Sequence, residues 1–309
     1  MSIARFVDAH LHLWKLDHLS YPWLTPPFSD DGPNGSVAAI AHDYGPGDYF
    51  RDAAGYNVVK AVHIDAGADP TDAVAETRWL QGLAGEGWAG AGPGFPQAIV
   101  AFAALNAPDV EDVLARHVES PNVRGIRHIV NWHPDPKKTY TARNLLDDDA
   151  FARGYALLAR YRLSFDLQIY PNQMEQAFRL ASAHPDVPVI LNHCGMPVDR
   201  DAAGIAAWKS GMRLLATLPH VATKISGLGF IDRQWTEDAQ KTANMRSVVL
   251  ETIDIFGTDR SLFASDFPTD KLFNAYGRQL DVYDAVTSEF SAAERDALFA
   301  ANAERIYRI

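Results

Sequence analysis

Eight short β-rich runs, separated by amphipathic stretches and a few long connections, limit what this chain can fold into. They occupy residues 6–13, 57–65, 97–103, 123–130, 163–169, 187–192, 221–226 and 261–264. Helical periodicity marks residues 72–83, 109–118, 149–160, 173–183, 203–218 and 244–256, with two further stretches at 276–290 and 292–306. Ser291, with Glu294 three residues later, reads as a capping box for the last of these. Eight strands alternating with helices over 309 residues predict one α/β domain spanning residues 1–309. Its expected form is a (β/α)8 TIM barrel, distorted in places, with long loops after strands one and four. A doubly wound open sheet and a barrel lacking one helix compete with that reading.

A chain of this length with 47% hydrophobic residues builds a sizeable core without staples. Its formal charge of −11 argues against nucleic acid or an anionic membrane as partner, since both select basic surfaces. It leaves a small-molecule substrate open, because a mouth on an acidic protein can be locally positive. Cys194 is the only cysteine, so neither an intrachain disulfide nor a thiolate zinc cluster is expected. No run is long and apolar enough for a membrane span, and residues 1–6 lead into the first strand without an apolar leader. The expectation is a cytoplasmic protein, with monomer and homodimer both open.

The chemistry concentrates at strand ends. In Asp8-Ala9-His10-Leu11-His12 the two histidines are two residues apart, so a strand presents both imidazoles on one face. His193 closes the apolar run 189–192, and Asp266 closes the run 261–264. Singly, His193 could be a satisfied structural histidine, and Asp266 a cap or an arginine partner. Together in one barrel mouth they form a constellation that can ligate a metal or share a substrate. Parity on strand four puts Gly125, Arg127 and Ile129 on one face. Arg127 is expected either to bind a substrate carboxylate or to pair with Asp166 or another strand-end carboxylate. Arg124, His128 and Lys224 are further substrate-binding candidates, with pairing the favoured reading for Lys224. Connections 15–56 and 131–146 follow strands one and four. Their aromatics, Tyr21, Trp23, Tyr44, Tyr49, Phe50, Trp132 and Tyr140, either wall a pocket or pack beneath their own loops. Trp23 is taken as a substrate-binding candidate. Connection 84–96 is glycine-rich and read as mobile.

These residues resemble the amidohydrolase superfamily of (β/α)8-barrel hydrolases, on His10-x-His12, His193 and Asp266. More narrowly, the chain resembles the branch holding sugar-acid lactonases and 2-pyrone-4,6-dicarboxylate lactonase. The supporting segments are spread in order along the chain: 8–14, 21–24, 76–80, 124–128, 191–197, 224–228 and 265–268. The resemblance implies a hydrolase that opens a lactone of a sugar acid or other carboxylated small molecule. Asp266 is the implied general base, His10 and His12 stabilise the oxyanion, and His193 protonates the leaving alkoxide. Arg127 and Gln168 stand where two-metal members carry a strand-four lysine or glutamate and a strand-five histidine. A binuclear centre is therefore not expected. The resemblance implies at most one divalent ion, zinc by its ligands, on His10, His12 and Asp266 with His193, and leaves metal-independent catalysis open. The alternative activity is a metal-dependent decarboxylase of an aromatic or unsaturated acid. A third reading is a non-catalytic binding protein on a retained barrel.

Overall fold

The computed structural model describes residues 3–87 and 94–309. Its eight strands are β1 (Phe6–Leu11), β2 (Val58–Ile64), β3 (Ala98–Phe102), β4 (Val123–Arg127), β5 (Ser164–Leu167), β6 (Val189–Leu191), β7 (Val221–Ile225) and β8 (Ser261–Phe263). They pair in parallel and in sequence order. The ends meet just beyond the ladder. Asp266 N–H donates to the His10 carbonyl at 2.8 Å, and His12 N–H donates to the Phe267 carbonyl at 2.7 Å. The sheet is thus a nearly closed barrel with helices between its strands. A doubly wound sheet would need a reversal of strand order, and the described residues have none.

Every strand is shorter than its apolar run suggests. The helices fall where periodicity places them, and Ser291 and Glu294 form the expected reciprocal cap. The last helical run is broken into Ala292–Asp296, a π turn at Ala297–Ala301, and Asn302–Tyr307. Connection 15–56 hides a short helix, Pro46–Asp52. Pro46 suits its first turn, and the Asp48 carboxylate accepts the Gly45 N–H at 3.0 Å. Of connection 84–96, residues 88–93 lie outside the described residues. No helix among the described residues is long and apolar enough to cross a membrane.

Two apolar clusters divide the core. The larger lies between sheet and helices, and takes in Leu11, Leu80, Phe151 and Trp208. The smaller fills the barrel, with Val7, Ala9, Val62, Val100, Ile190 and Leu262 from five strands, and Tyr307 from the last helix beneath them. Polar groups share that interior. Lys224 donates to Asp166 at 2.5 Å, and the Tyr307 hydroxyl donates to the same carboxylate at 2.9 Å. Neither Lys224 nor Asp166 has exposed surface. Lys224 is therefore a structural partner under the mouth, not a substrate-binding group. A buried cation needs its anion, and this one found it inside the barrel. Lys224→Met should leave Asp166 uncompensated. The expected loss is about 3–5 kcal/mol of folding stability, read as a lower midpoint in urea unfolding.

Candidate active site

A β-bulge aims the first histidine. Asp8 pairs with Ala61 and Leu11 with His63, so β1 takes three steps where β2 takes two. Val7 and Ala9 both face the barrel interior, and regular alternation would send His10 outward. The extra residue turns His10 inward as well, and Leu11 goes to the outer core. His12 follows, just past the strand end. Strand β2 has the opposite phase to β1's histidines: Val62 and Ile64 fill the interior. His63 turns away, where its Nδ1 accepts the Leu13 N–H at 3.2 Å.

Left-handed backbone places the other two groups. Asp266 has φ +59° and His193 φ +56°, values uncommon outside glycine. The Ser226 hydroxyl at the end of β7 lies 3.0 Å from His193 Nδ1. Gly227, at φ +60°, lets this ring approach: a Cβ there would come within 2.5 Å of His193 Nδ1.

The four side chains converge. Asp266 Oδ1 is 3.2 Å from His10 Nε2 and 3.2 Å from His12 Nε2. Those two nitrogens are themselves 3.2 Å apart. The His193 ring lies 4.8 Å from that of His10, centre to centre. All four groups are buried. His12 Nδ1 lies 2.8 Å from the Ile64 carbonyl, which can only accept, so Nδ1 carries the proton of a neutral ring. Nε2 then presents a lone pair to a carboxylate oxygen. Two lone pairs facing at that distance call for a cation between them, either a proton or a metal. Ligands at about 2.0–2.1 Å from a tetrahedral zinc sit about 3.3 Å apart, close to this spacing. A histidine whose other nitrogen donates to a backbone carbonyl is the usual ligand arrangement. Donor atoms of His10, His193 and Asp266 also lie within 4.8 Å of one another. The set fits one divalent ion.

Burial pushes the His193 imidazole down to about 4, although the Asp266 charge opposes the shift. Burial likewise carries His10 well below the ordinary histidine value, reinforced by Lys224. Burial alone would raise Asp266. His193, His12 and Arg127 outweigh it and hold the carboxyl below the usual range. The floor therefore sets an ionised carboxylate beside the His10 and His193 rings, whose charged forms burial disfavours.

Above it opens a cavity of about 240 Å³. His12, His193 and Asp266 line its floor, and Trp23, Ile129, Met196 and Phe230 give apolar walls. Asn34, Tyr140, Gln168 and Thr269 add polar groups. Trp23 is fixed by donation from its Nε1 to the Ala66 carbonyl at 2.8 Å. Tyr140 OH donates to Asn34 Oδ1 at 2.5 Å, and Arg233 donates to the Asn34 carbonyl at 2.9 Å. These bonds join the loops after β1, β4 and β7 over the mouth. Tyr49, Tyr44 and Phe50 instead pack under their own loop against Phe95, Trp14 and Tyr276.

Arg127 lines the cavity, but its fork is largely filled. Nε donates to Asp65 Oδ2 at 2.5 Å, Nη2 to the Asp65 carbonyl at 2.5 Å, and Nη1 to Gln168 at 3.1 Å. Its Nη1 also faces His10 Nε2 at 3.5 Å. Of five N–H groups one is left, short of the pair a bidentate carboxylate takes. Two other candidates lie elsewhere. Arg124 has the opposite parity to Arg127 and donates to the Pro121 and Val123 carbonyls outside the barrel. His128 shares that outer phase, packed between the rings of Phe102 and Phe151. Ile129, Met196 and Phe230 were not singled out as site residues in the sequence. Ile129 carried the inward parity of Arg127 as a signal; the other two sit in loops, where no periodicity marks them.

The chain matches the family described as Amidohydrolase over residues 7–309. It is 42% identical to the protein y4mH of Sinorhizobium fredii over the full length of both. It is 28% identical to an L-fucono-1,5-lactonase of Burkholderia multivorans, over 98% of this chain and 96% of that one. A crystal structure of a Burkholderia multivorans amidohydrolase with bound zinc superposes with TM-score 0.79 at 26% identity, over 99% of this chain and all of the other. Barrel, strand-end histidines, Asp266 and family match agree: this chain belongs to the amidohydrolase family.

Proposed function

We propose that this protein is a lactonase, and that its substrate is a neutral, polyhydroxylated lactone derived from a sugar. The observation that carries this reading is the Asp266 carboxylate. It is buried on the cavity floor with Oδ1 among imidazoles and Oδ2 without a hydrogen-bond partner. An ionised carboxylate with a free oxygen on a cavity floor can take a proton from water. The similarity to an L-fucono-1,5-lactonase supports the same reading.

Asp266 accepts a proton as the water oxygen bonds to the lactone carbonyl carbon. The carbonyl oxygen becomes an oxyanion, which His10 and His12 stabilise when an Nε2 carries the proton that their contacts with Asp266 call for. Collapse breaks the ring C–O bond. His193 hands a proton to the departing alkoxide, and the proton held by Asp266 replaces it. His10, His12, His193 and Asp266 would hold a divalent ion, which when bound polarises the carbonyl and acidifies water. Trp23 offers an apolar face to the ring of the substrate, and Asn34, Tyr140 and Gln168 offer partners to its hydroxyls. Arg127 is the only lysine or arginine among the described residues lining the cavity, and Asp65 already engages it. That favours a neutral lactone over a carboxylated one.

Proton release measured over a panel of sugar lactones and carboxylated lactones tests the reading. Turnover of neutral rings without carbon dioxide is expected. Release of carbon dioxide, or a clear preference for dicarboxylates, would overturn it. Asp266→Asn should lower kcat by about 10²–10⁴-fold with an unchanged circular dichroism spectrum. Gly227→Ala should force the His193 ring aside and cost about 10²-fold in kcat, measured in the same assay. Zinc titrated calorimetrically into chelator-treated protein should bind at one site, which His12→Ala abolishes.

A further inference from the structure

Two irregular stretches of backbone aim the reacting groups, and each frees an amide. The bulge in β1 takes the His10 N–H out of the ladder, because the extra residue has no partner on β2. The left-handed turn at Asp266 begins just past β8, where the Ser265 N–H has no strand to pair with. Buried amides without acceptors are costly. Both are satisfied by one side chain. Asp8 Oδ1 accepts the Ser265 N–H at 2.9 Å and the His10 N–H at 3.3 Å. Its Oδ2 accepts the Tyr49 hydroxyl at 2.8 Å. Tyr49 in turn contacts the Tyr276 hydroxyl at 3.0 Å. Asp8, Tyr49, Ser265 and Tyr276 are all buried, and none lines the cavity.

We propose that Asp8 is a positioning residue for the reaction: its carboxylate clamps the seam between β1 and β8 and thereby sets His10 against Asp266. The kinetic consequence rests on the lactonase reading; the geometric one does not. Asp8 touches neither substrate nor the reacting atoms. It fixes the two peptide segments whose side chains do, and Tyr49 fixes Asp8. An acceptor oxygen is what the amides need. Asn at position 8 keeps one, whereas Ala keeps none.

The test uses the full chain with Asp8→Ala, Asp8→Asn and Tyr49→Phe. Asp8→Ala should lower kcat by about 10²-fold while KM moves by less than about threefold, since misplacement of about 1 Å is felt at the reacting centre. Asp8→Asn should recover most of that loss. Crystal structures of the variants should show the His10 Nε2–Asp266 Oδ1 separation widened beyond 3.2 Å in Asp8→Ala and kept in Asp8→Asn. A folded Asp8→Ala protein with wild-type kcat and unchanged separation overturns the proposal, even if its melting temperature has dropped. If Asp8→Ala does not fold, Tyr49→Phe decides: a lowered kcat with a shifted Asp8 supports the clamp, and wild-type kcat with Asp8 in place overturns it. If the wild-type protein opens no lactone, the functional reading fails, and the crystallographic separations still decide the clamp.

Discussion

Closing an eight-stranded sheet puts the first strand beside the last, and everything in this site depends on that adjacency. His10 and Asp266 are 256 positions apart in the chain, yet the Asp266 amide donates to the His10 carbonyl at 2.8 Å. Neither residue could be aimed by its own strand alone. The carboxyl-end face of a parallel barrel gathers the ends of all strands around one opening, so the remaining groups need only short excursions to join. His193 makes its excursion in left-handed backbone, and Gly227 leaves room for its ring. Strain of this kind persists where surrounding structure over-determines it, and here the barrel seam supplies the constraint.

The charges beneath the mouth are matched before any ligand arrives. Arg127 sits on Asp65, and Lys224 on Asp166 with the Tyr307 hydroxyl as a further donor. These pairs are buried, so each is held by geometry and not merely by attraction. The result is a floor with a single ionised carboxylate that has an oxygen to spare. That asymmetry, more than the count of histidines, gives the site its chemical direction.

Much of this could be read from the chain. Eight apolar runs alternating with helical stretches point to the barrel, and polar residues closing apolar runs point to His193 and Asp266. His10 and His12 do share a face, but not for the reason that alternation alone supplies. With Val7 and Ala9 inside, a regular strand would have turned both histidines outward; the bulge reversed them, and a bulge is a property of pairing with β2, which local sequence does not encode. Arg124 and His128 show the opposite case. Their parity relative to Arg127 sets them on the helix-facing side, so charge and aromaticity alone do not place a residue in the mouth. Phe230 and Met196 were beyond reach, because loop conformation, not periodicity, brings them to the cavity.

The engaged fork of Arg127 bears on how a reaction cycle would end. On the lactonase reading, ring opening would convert an uncharged molecule into a hydroxy acid, which ionises at neutral pH. On that reading the product anion would lie in a confined space with Asp266 nearby and Arg127 already committed to Asp65. Like charges at close range in such surroundings repel strongly. On the lactonase reading, a site without a bound cation would therefore hold its opened product weakly, whereas an ion on His10, His12 and Asp266 would offset the repulsion.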